Sequence, residues 1–167
     1  DPAQPHGMSK IMQSYLAGLL TYADDTTYFL APYVNSYKRF KASTFAPTKA
    51  IWSIDNRTAG YRIVAEESHN IRVECRVGGS DLNPYLALAS QLAAGLKGIE
   101  DNLTLEAEFI GDAYQADTAR SIPASLRDAT VELDQSKMLR AAMGDSVVDH
   151  YVRAARWEQE DFDSKVT

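Results

Sequence analysis

Arg39, Arg57, Arg62, Arg72 and Arg76, with Glu74 between the last two, are the residues of this chain best suited to chemistry. Between Lys38 and Arg76, eight basic residues stand against four acidic ones (Asp55, Glu66, Glu67 and Glu74). The whole chain carries a net charge of −6, so this stretch is a basic island in an acidic protein. Scattered lysines would read as a solvated surface. Arginine instead offers a rigid planar fork of donors that matches carboxylates and phosphates. The grouping points to a polyanionic ligand.

The run Ile71-Arg72-Val73-Glu74-Cys75-Arg76-Val77 alternates apolar and charged residues, the pattern of a half-buried strand. Successive side chains on a strand point to opposite faces. Arg72, Glu74 and Arg76 therefore share one face, and Ile71, Val73, Cys75 and Val77 the other. Two readings of the charged face stand side by side. One is a solvated sheet surface with a local ion pair. The other is a carboxylate that holds a divalent metal between arginines that hold anions, since hard cations take oxygen ligands and are often shared with phosphates.

Positioning these groups requires strands flanked by helices. Tyr61-Arg62-Ile63-Val64-Ala65 resumes an alternating pattern after Ala50–Ile54, with Arg57 near the turn between them. Two or three strands are expected in Ala50–Val77. Met8 to about Tyr22 has helical spacing in Ile11, Met12, Tyr15, Leu16, Leu19 and Leu20. Asn83 reads as an N-cap with Pro84 at the first helical position. The helix then runs to about Leu103, with Tyr85, Leu88, Leu92, Leu96, Ile99 and Leu103 as its core stripe. Glu106–Pro123 reads as an irregular excursion. A short helix is expected from Ser125 to about Asp134, and a last long one from near Ser146, with Asp149 in a capping-box-like position. Val148, Tyr151, Val152, Ala155 and Phe162 form its expected inner stripe.

Several short motifs occur in order along the chain: Pro5-His6-Gly7-Met8-Ser9, Asn35-Ser36-Tyr37-Lys38-Arg39, Ala46-Pro47, Asn56-Arg57 with Arg62, Arg72-Val73-Glu74-Cys75-Arg76, and Asn83-Pro84-Tyr85-Leu86-Ala87-Leu88-Ala89. Together they resemble the C-terminal part of the glutamine synthetase catalytic domain. The resemblance implies an α+β fold with antiparallel strands packed against helices. It also implies that residues 1–167 are a fragment, with the N-terminal domain and the first part of the catalytic domain lying outside it. The implied activity is ATP-dependent ligation of glutamate to an amine through γ-glutamyl phosphate, with Mg2+ or Mn2+. By position, Arg39 and Arg76 match glutamate-binding arginines. Arg57, Arg62 and Arg72 match those that approach ATP phosphates, and Arg57 and Arg76 would act in catalysis. Glu74 matches a metal ligand. The family's other metal ligands lie upstream, so the fragment alone is expected to be inactive. A non-catalytic binding or assembly role on the same fold is the competing class.

One departure bears on the substrate. Ammonia-using members of the family usually carry an acidic residue just before the Ala-Pro pair, on a flap over the site. Here that position is Phe45. An aromatic cannot pair with ammonium or accept its proton, though its ring can face a cation. Phe45 is either a packing residue of the flap or an amine-selectivity residue, as in γ-glutamylpolyamine synthetase-like members. The resemblance thus leaves ammonia or an organic amine as the partner of glutamate, in a homo-oligomeric, cytoplasmic enzyme.

Composition sets the outer bounds. Hydrophobic residues make up 45% and charged residues 24% of the chain, which excludes wholesale disorder. The single cysteine, Cys75, excludes an intrachain disulfide and falls on the apolar face of its strand. The acidic balance disfavours nucleic acid, and no apolar run approaches membrane-spanning length. His6, His69 and His150 lack metal-ligand spacing and read as loop or surface imidazoles.

Overall fold

The computed structural model describes residues 1–165. Two helices come first, α1 (Lys10–Thr21) and α2 (Ala23–Leu30), then the strands β1 (Trp52–Ile54), β2 (Tyr61–Val64) and β3 (Arg72–Cys75). Helices α3 (Pro84–Glu100), α4 (Leu126–Gln135), α5 (Lys137–Met143) and α6 (Asp145–Ser164) complete the order. The result is α+β, a small sheet packed against helices.

The sheet order is β1-β2-β3. Strands β2 and β3 are antiparallel, with Arg62 opposite Glu74 and Ile63 opposite Val73. Strand β1 instead runs parallel to β2, pairing Trp52 with Tyr61. The link 55–60 therefore loops back on itself rather than forming a hairpin. Asp55 enters it at φ 47°, a left-handed conformation that Asp tolerates better than most residues. Gly60 closes it under the chain at Lys49, where a Cβ would stand 2.6 Å from the Lys49 carbonyl oxygen.

Period-2 alternation sorts β2 as the sequence pattern requires. Tyr61 and Ile63 are fully buried, and Arg62 and Val64 are only partly so. Beneath the sheet the main core joins Trp52, Tyr61 and Ile63 to Leu16, Leu20 and Phe29 of the first helices and to Leu126, Leu133, Leu139 and Val148 of the last three. Cys75 packs on this side, and burial raises its thiol pKa.

Helix caps follow the local chemistry. The Ser9 hydroxyl accepts from Met12 N at 3.1 Å and starts α1. Asn83 Oδ1 accepts from Tyr85 N at 3.0 Å, with Pro84 next to it at the start of α3. Ser125 caps α4 through Asp128 N. The last helix departs from expectation. It begins at Asp145 after Gly144, whose φ of 89° turns the chain, and Asp149 pairs with Arg140 instead of capping. Phe162 is exposed rather than part of the inner stripe.

The stripe expected to be the core of α3 is likewise turned outward: Tyr85 is 85% exposed and Leu88 70%, with Leu92 and Leu96 also exposed. The buried face of α3 consists of Ala87, Ser90, Ala94, Gly95 and Gly98. A second, small-residue periodicity won because α1 and α3 approach backbone to backbone. A Cβ on Gly98 would lie 2.3 Å from Ser14 O and 2.6 Å from Gly18 Cα. Tyr15 lies over Gly95 and donates its hydroxyl to Gln91 O at 3.3 Å.

Gly98→Ala is accordingly expected to lower stability by about 1–3 kcal/mol, the usual cost of overpacking a close contact. Urea unfolding measures it, and an unchanged midpoint would contradict the close crossing of α1 and α3.

Candidate functional site

The outer face of the sheet carries one connected charge network. Register places Arg62 directly across from Glu74. Arg62 Nη1 donates to Glu74 Oε2 at 3.2 Å, and Arg62 Nη2 to Asp55 Oδ1 at 2.9 Å. From the other side, Arg76 Nη1 donates to Glu74 Oε1 at 2.8 Å. Each oxygen of one carboxylate thus takes one guanidinium. The arginine side chains are 20% and 16% exposed and that of Glu74 is 40% exposed, so these pairs are less screened than typical surface ion pairs.

Arg76 also reaches two neighbouring loops. Its Nε donates to Arg57 O and its Nη2 to Phe45 O, each at 3.1 Å. The Arg57 loop is shaped by Asn56, whose Oδ1 accepts from Thr58 N at 2.9 Å, a turn that Asn side chains favour. Asn56 Nδ2 then donates to Gly111 O at 2.8 Å, and Ala113 N to Thr58 Oγ1 at 2.9 Å. The excursion after α3 therefore underpins the loop. The guanidinium of Arg57 is exposed and has no carboxylate partner among the described residues. An open depression of about 500 Å³ lies here, lined by Phe45, Asp55, Arg57, Thr58 and Glu108.

Phe45 stands at the rim, 58% exposed, at φ 57°. Its carbonyl is held by Arg76, and the carbonyl of Ala46 accepts from Tyr114 Oη at 2.9 Å. Arg72 lies on the same face of β3 as Glu74, exposed, and among the described residues its side chain donates only to Asn70 O, at 3.3 Å. Arg39 is set apart from the network. It ends a 3-10 turn at Val34–Arg39, lies over the Phe40 ring at 4.9 Å and donates to Val77 O. Burial lowers its pKa. The structure thus joins Arg62, Glu74, Arg76 and the backbones of Arg57 and Phe45, and leaves Arg39 and Arg72 unlinked to them by hydrogen bonds.

His6 Nδ1 is 2.6 Å from Glu66 Oε1 and its Nε2 3.9 Å from Glu108 Oε2, beside the lining of that depression. His69 and His150 are exposed. A larger cleft of about 1020 Å³, lined by Tyr22, Asp25, Leu96, Lys97, Glu132 and Met138, lies between α3 and α5 and contains none of the site arginines. Asp55, Asn56 and Thr58 are parts of the site that sequence reasoning did not assign, and Tyr114 braces the segment at Phe45-Ala46 from outside it. The Asp55-Asn56 turn signal marks the first two; nothing local marks Tyr114.

The donors present suit an anion better than a cation. Exposed Arg57 and Arg72 can each offer a planar fork to phosphate oxygens. Among the described residues no three His, Cys, Asp or Glu side chains are arranged to hold a metal. Glu74 supplies a single carboxylate; each oxygen accepts one arginine N–H and keeps a second lone pair, enough for one bond to a metal but not for a whole site.

Glu74→Ala would leave two half-buried guanidiniums facing each other without their shared counter-ion. The expected loss is about 1–2 kcal/mol in urea unfolding. Added sulfate should recover part of it by replacing the carboxylate. A variant as stable as the parent in low salt would show that the network contributes nothing to the fold.

The family model for the glutamine synthetase catalytic domain matches residues 1–167. Gamma-glutamylethanolamide synthetase of Streptomyces coelicolor is 45% identical over 165 residues, covering 99% of this chain and 35% of that enzyme. Type-1 glutamine synthetase 2 of Dictyostelium discoideum is 39% identical over 170 residues, covering 99% of this chain and 32% of that protein. A solved structure of GmaS with ADP superposes with a TM-score of 0.88 at 30% identity, covering 98% of this chain and 39% of that one. The chain therefore spans about a third of the length of these curated relatives. With its arginine face and its matching fold, the chain belongs to the glutamine synthetase family, within the catalytic domain.

Proposed function

We propose that the protein containing this chain is an ATP-dependent glutamate–amine ligase, and that residues 1–167 form the C-terminal part of its catalytic domain. The observation that carries the reading is the Arg62–Glu74–Arg76 network with the exposed guanidinium of Arg57 beside it, in a family of ligases. In the proposed reaction a γ-carboxylate oxygen of glutamate attacks the γ-phosphorus of ATP, and ADP leaves. An amine then attacks the acyl carbon of γ-glutamyl phosphate, loses a proton, and inorganic phosphate departs.

Such chemistry needs fixed positive charge where negative charge gathers on the transferred phosphoryl group. Arg57, Arg62 and Arg72 take that role toward the phosphates. Arg76, with two N–H donors left beyond its three bonds, and Arg39 take the carboxylates of glutamate. Arg57 and Arg76 are the pair closest in function to the reacting centre. Glu74 would be one ligand of a divalent cation, Mg2+ or Mn2+, that neutralises phosphate charge when bound; its remaining ligands would come from outside these residues. The whole protein is read as a cytoplasmic homo-oligomer. Among the described residues no helix is long and apolar enough to cross a membrane.

An organic amine is the preferred nucleophile in this reading. Phe45 stands where a carboxylate would attract ammonium, and the residue is 58% exposed, which leaves its ring free to cover a carbon chain. Each methylene buried there contributes about 0.8 kcal/mol. Two of them outweigh an exposed ion pair, worth about 1 kcal/mol or less. The Streptomyces relative, whose name specifies ethanolamide formation, is in keeping with this choice.

The test is phosphate release by the full-length protein with ATP, glutamate and either ammonia or a series of alkyl-, hydroxyalkyl- and diamines. The best organic amine should exceed ammonia in kcat/KM by roughly tenfold, as two buried methylenes imply. Phe45→Glu should shift the preference toward ammonia. Ammonia as best substrate, unimproved by Phe45→Glu, would make Phe45 a packing residue. No phosphate release with any amine would favour the non-catalytic reading.

A further inference from the structure

Two consecutive carbonyls of the flap are tied down by side chains from different parts of the chain. Arg76, just past β3, holds Phe45 O at 3.1 Å, and Tyr114 holds Ala46 O at 2.9 Å. The flap needs such ties. Ser43 and Phe45 both have positive φ, 65° and 57°, a conformation that bulky side chains resist. A residue stays there only where its surroundings over-determine it. Pro47 follows without an N–H, so the chain beyond Ala46 offers no donor of its own at that position.

The mounting of Tyr114 is itself fixed. It lies in the 3-10 turn Ala113–Gln115, and its own N–H donates to Asp112 Oδ1 at 3.0 Å. Ala113 N donates to Thr58 Oγ1, and Asn56 Nδ2 donates to Gly111 O on the near side of the turn. The turn is therefore fastened to the Arg57 loop, and from it the Tyr114 hydroxyl reaches the flap. Arg76 links the same two loops, but it also carries Glu74. For Tyr114 the side-chain hydrogen bond is to the flap.

We infer that Tyr114 is a positioning residue for the amine site: it sets the pose of the Phe45 flap relative to the Arg57 loop, and through it the apparent affinity for the amine. The selectivity half of this inference rests on the reading of Phe45 given above; the positioning half does not. Loss of the hydroxyl frees Ala46 O and lets the flap leave its strained pose, while Arg57, Arg62, Glu74 and Arg76 keep theirs.

The experiment compares full-length wild type with Tyr114→Phe, which retains the ring, and uses thermal melting to confirm that both are folded. In the variant the amine KM should rise about three- to tenfold, as expected for one lost hydrogen bond. The KM values for ATP and glutamate, and kcat at saturating amine, should stay within about twofold of wild type, a change too small to reflect a lost hydrogen bond. Chymotryptic cleavage after Phe45, read from the new N-terminus at Ala46, should accelerate by a similar factor. Unchanged cleavage overturns the positioning role. Faster cleavage with an unchanged amine KM overturns the link to amine affinity. A uniform loss in all three KM values and kcat would make Tyr114 a general structural residue and also overturns the inference. A wild-type enzyme inert toward every amine would refute the ligase reading instead, and the cleavage rates would still decide whether Tyr114 holds the flap.

Discussion

The carboxylate of Glu74 is the constraint on which the site depends. Two guanidiniums, from β2 and from just beyond β3, converge on it, one to each oxygen. Without that shared counter-ion, two partly desolvated like charges would face each other across adjacent strands, an arrangement that costs free energy. With it, Arg62 and Arg76 are held rigid, and Arg76 has donors left over for the Arg57 loop and the flap. A single acidic residue thus organises two strands and two loops. Nearby Arg57 and Arg72 are exposed.

The underside of the sheet makes this precision affordable. Tyr61 and Ile63 are completely buried, and the same period-2 alternation that sends them inward sends Arg62 outward. A one-residue slip of β2 would bury Arg62 and expose Tyr61, so the hydrophobic core fixes the register of the charge network. Behind the core, α1 and α3 cross at Gly18 and Gly98, where side chains of any size would separate them. The chain between α3 and α4 is irregular apart from the 3-10 turn Ala113–Gln115, yet it braces the Arg57 loop and, through Tyr114, the flap.

Much of this was legible in the sequence, for reasons that are local. Alternation in Ile71–Val77 placed Arg72, Glu74 and Arg76 on one face, and Asn83-Pro84 marked the start of α3, because strand pleating and capping act over a few residues. What escaped depends on distant partners. Leucine spacing in α3 competed with Ala87, Ala94, Gly95 and Gly98, and only the presence of α1 decides which periodicity faces inward. Helix α5 is short, and its cap, Ser136, is shared with the end of α4. The Asp55-Asn56 signal marks a turn but not the parallel pairing of β1 with β2 that follows it, and the contact of Tyr114 with Ala46 spans 68 residues of chain.

The most direct test of anion binding at this face is a crystal structure of the full-length protein with a non-hydrolysable ATP analogue and glutamate. The γ-phosphate oxygens should lie within hydrogen-bond distance, about 2.7–3.2 Å, of the guanidiniums of Arg57, Arg62 or Arg72. Glu74 should still lie between Arg62 and Arg76. Phosphates bound elsewhere, with Arg57 and Arg72 left in solvent, would contradict it.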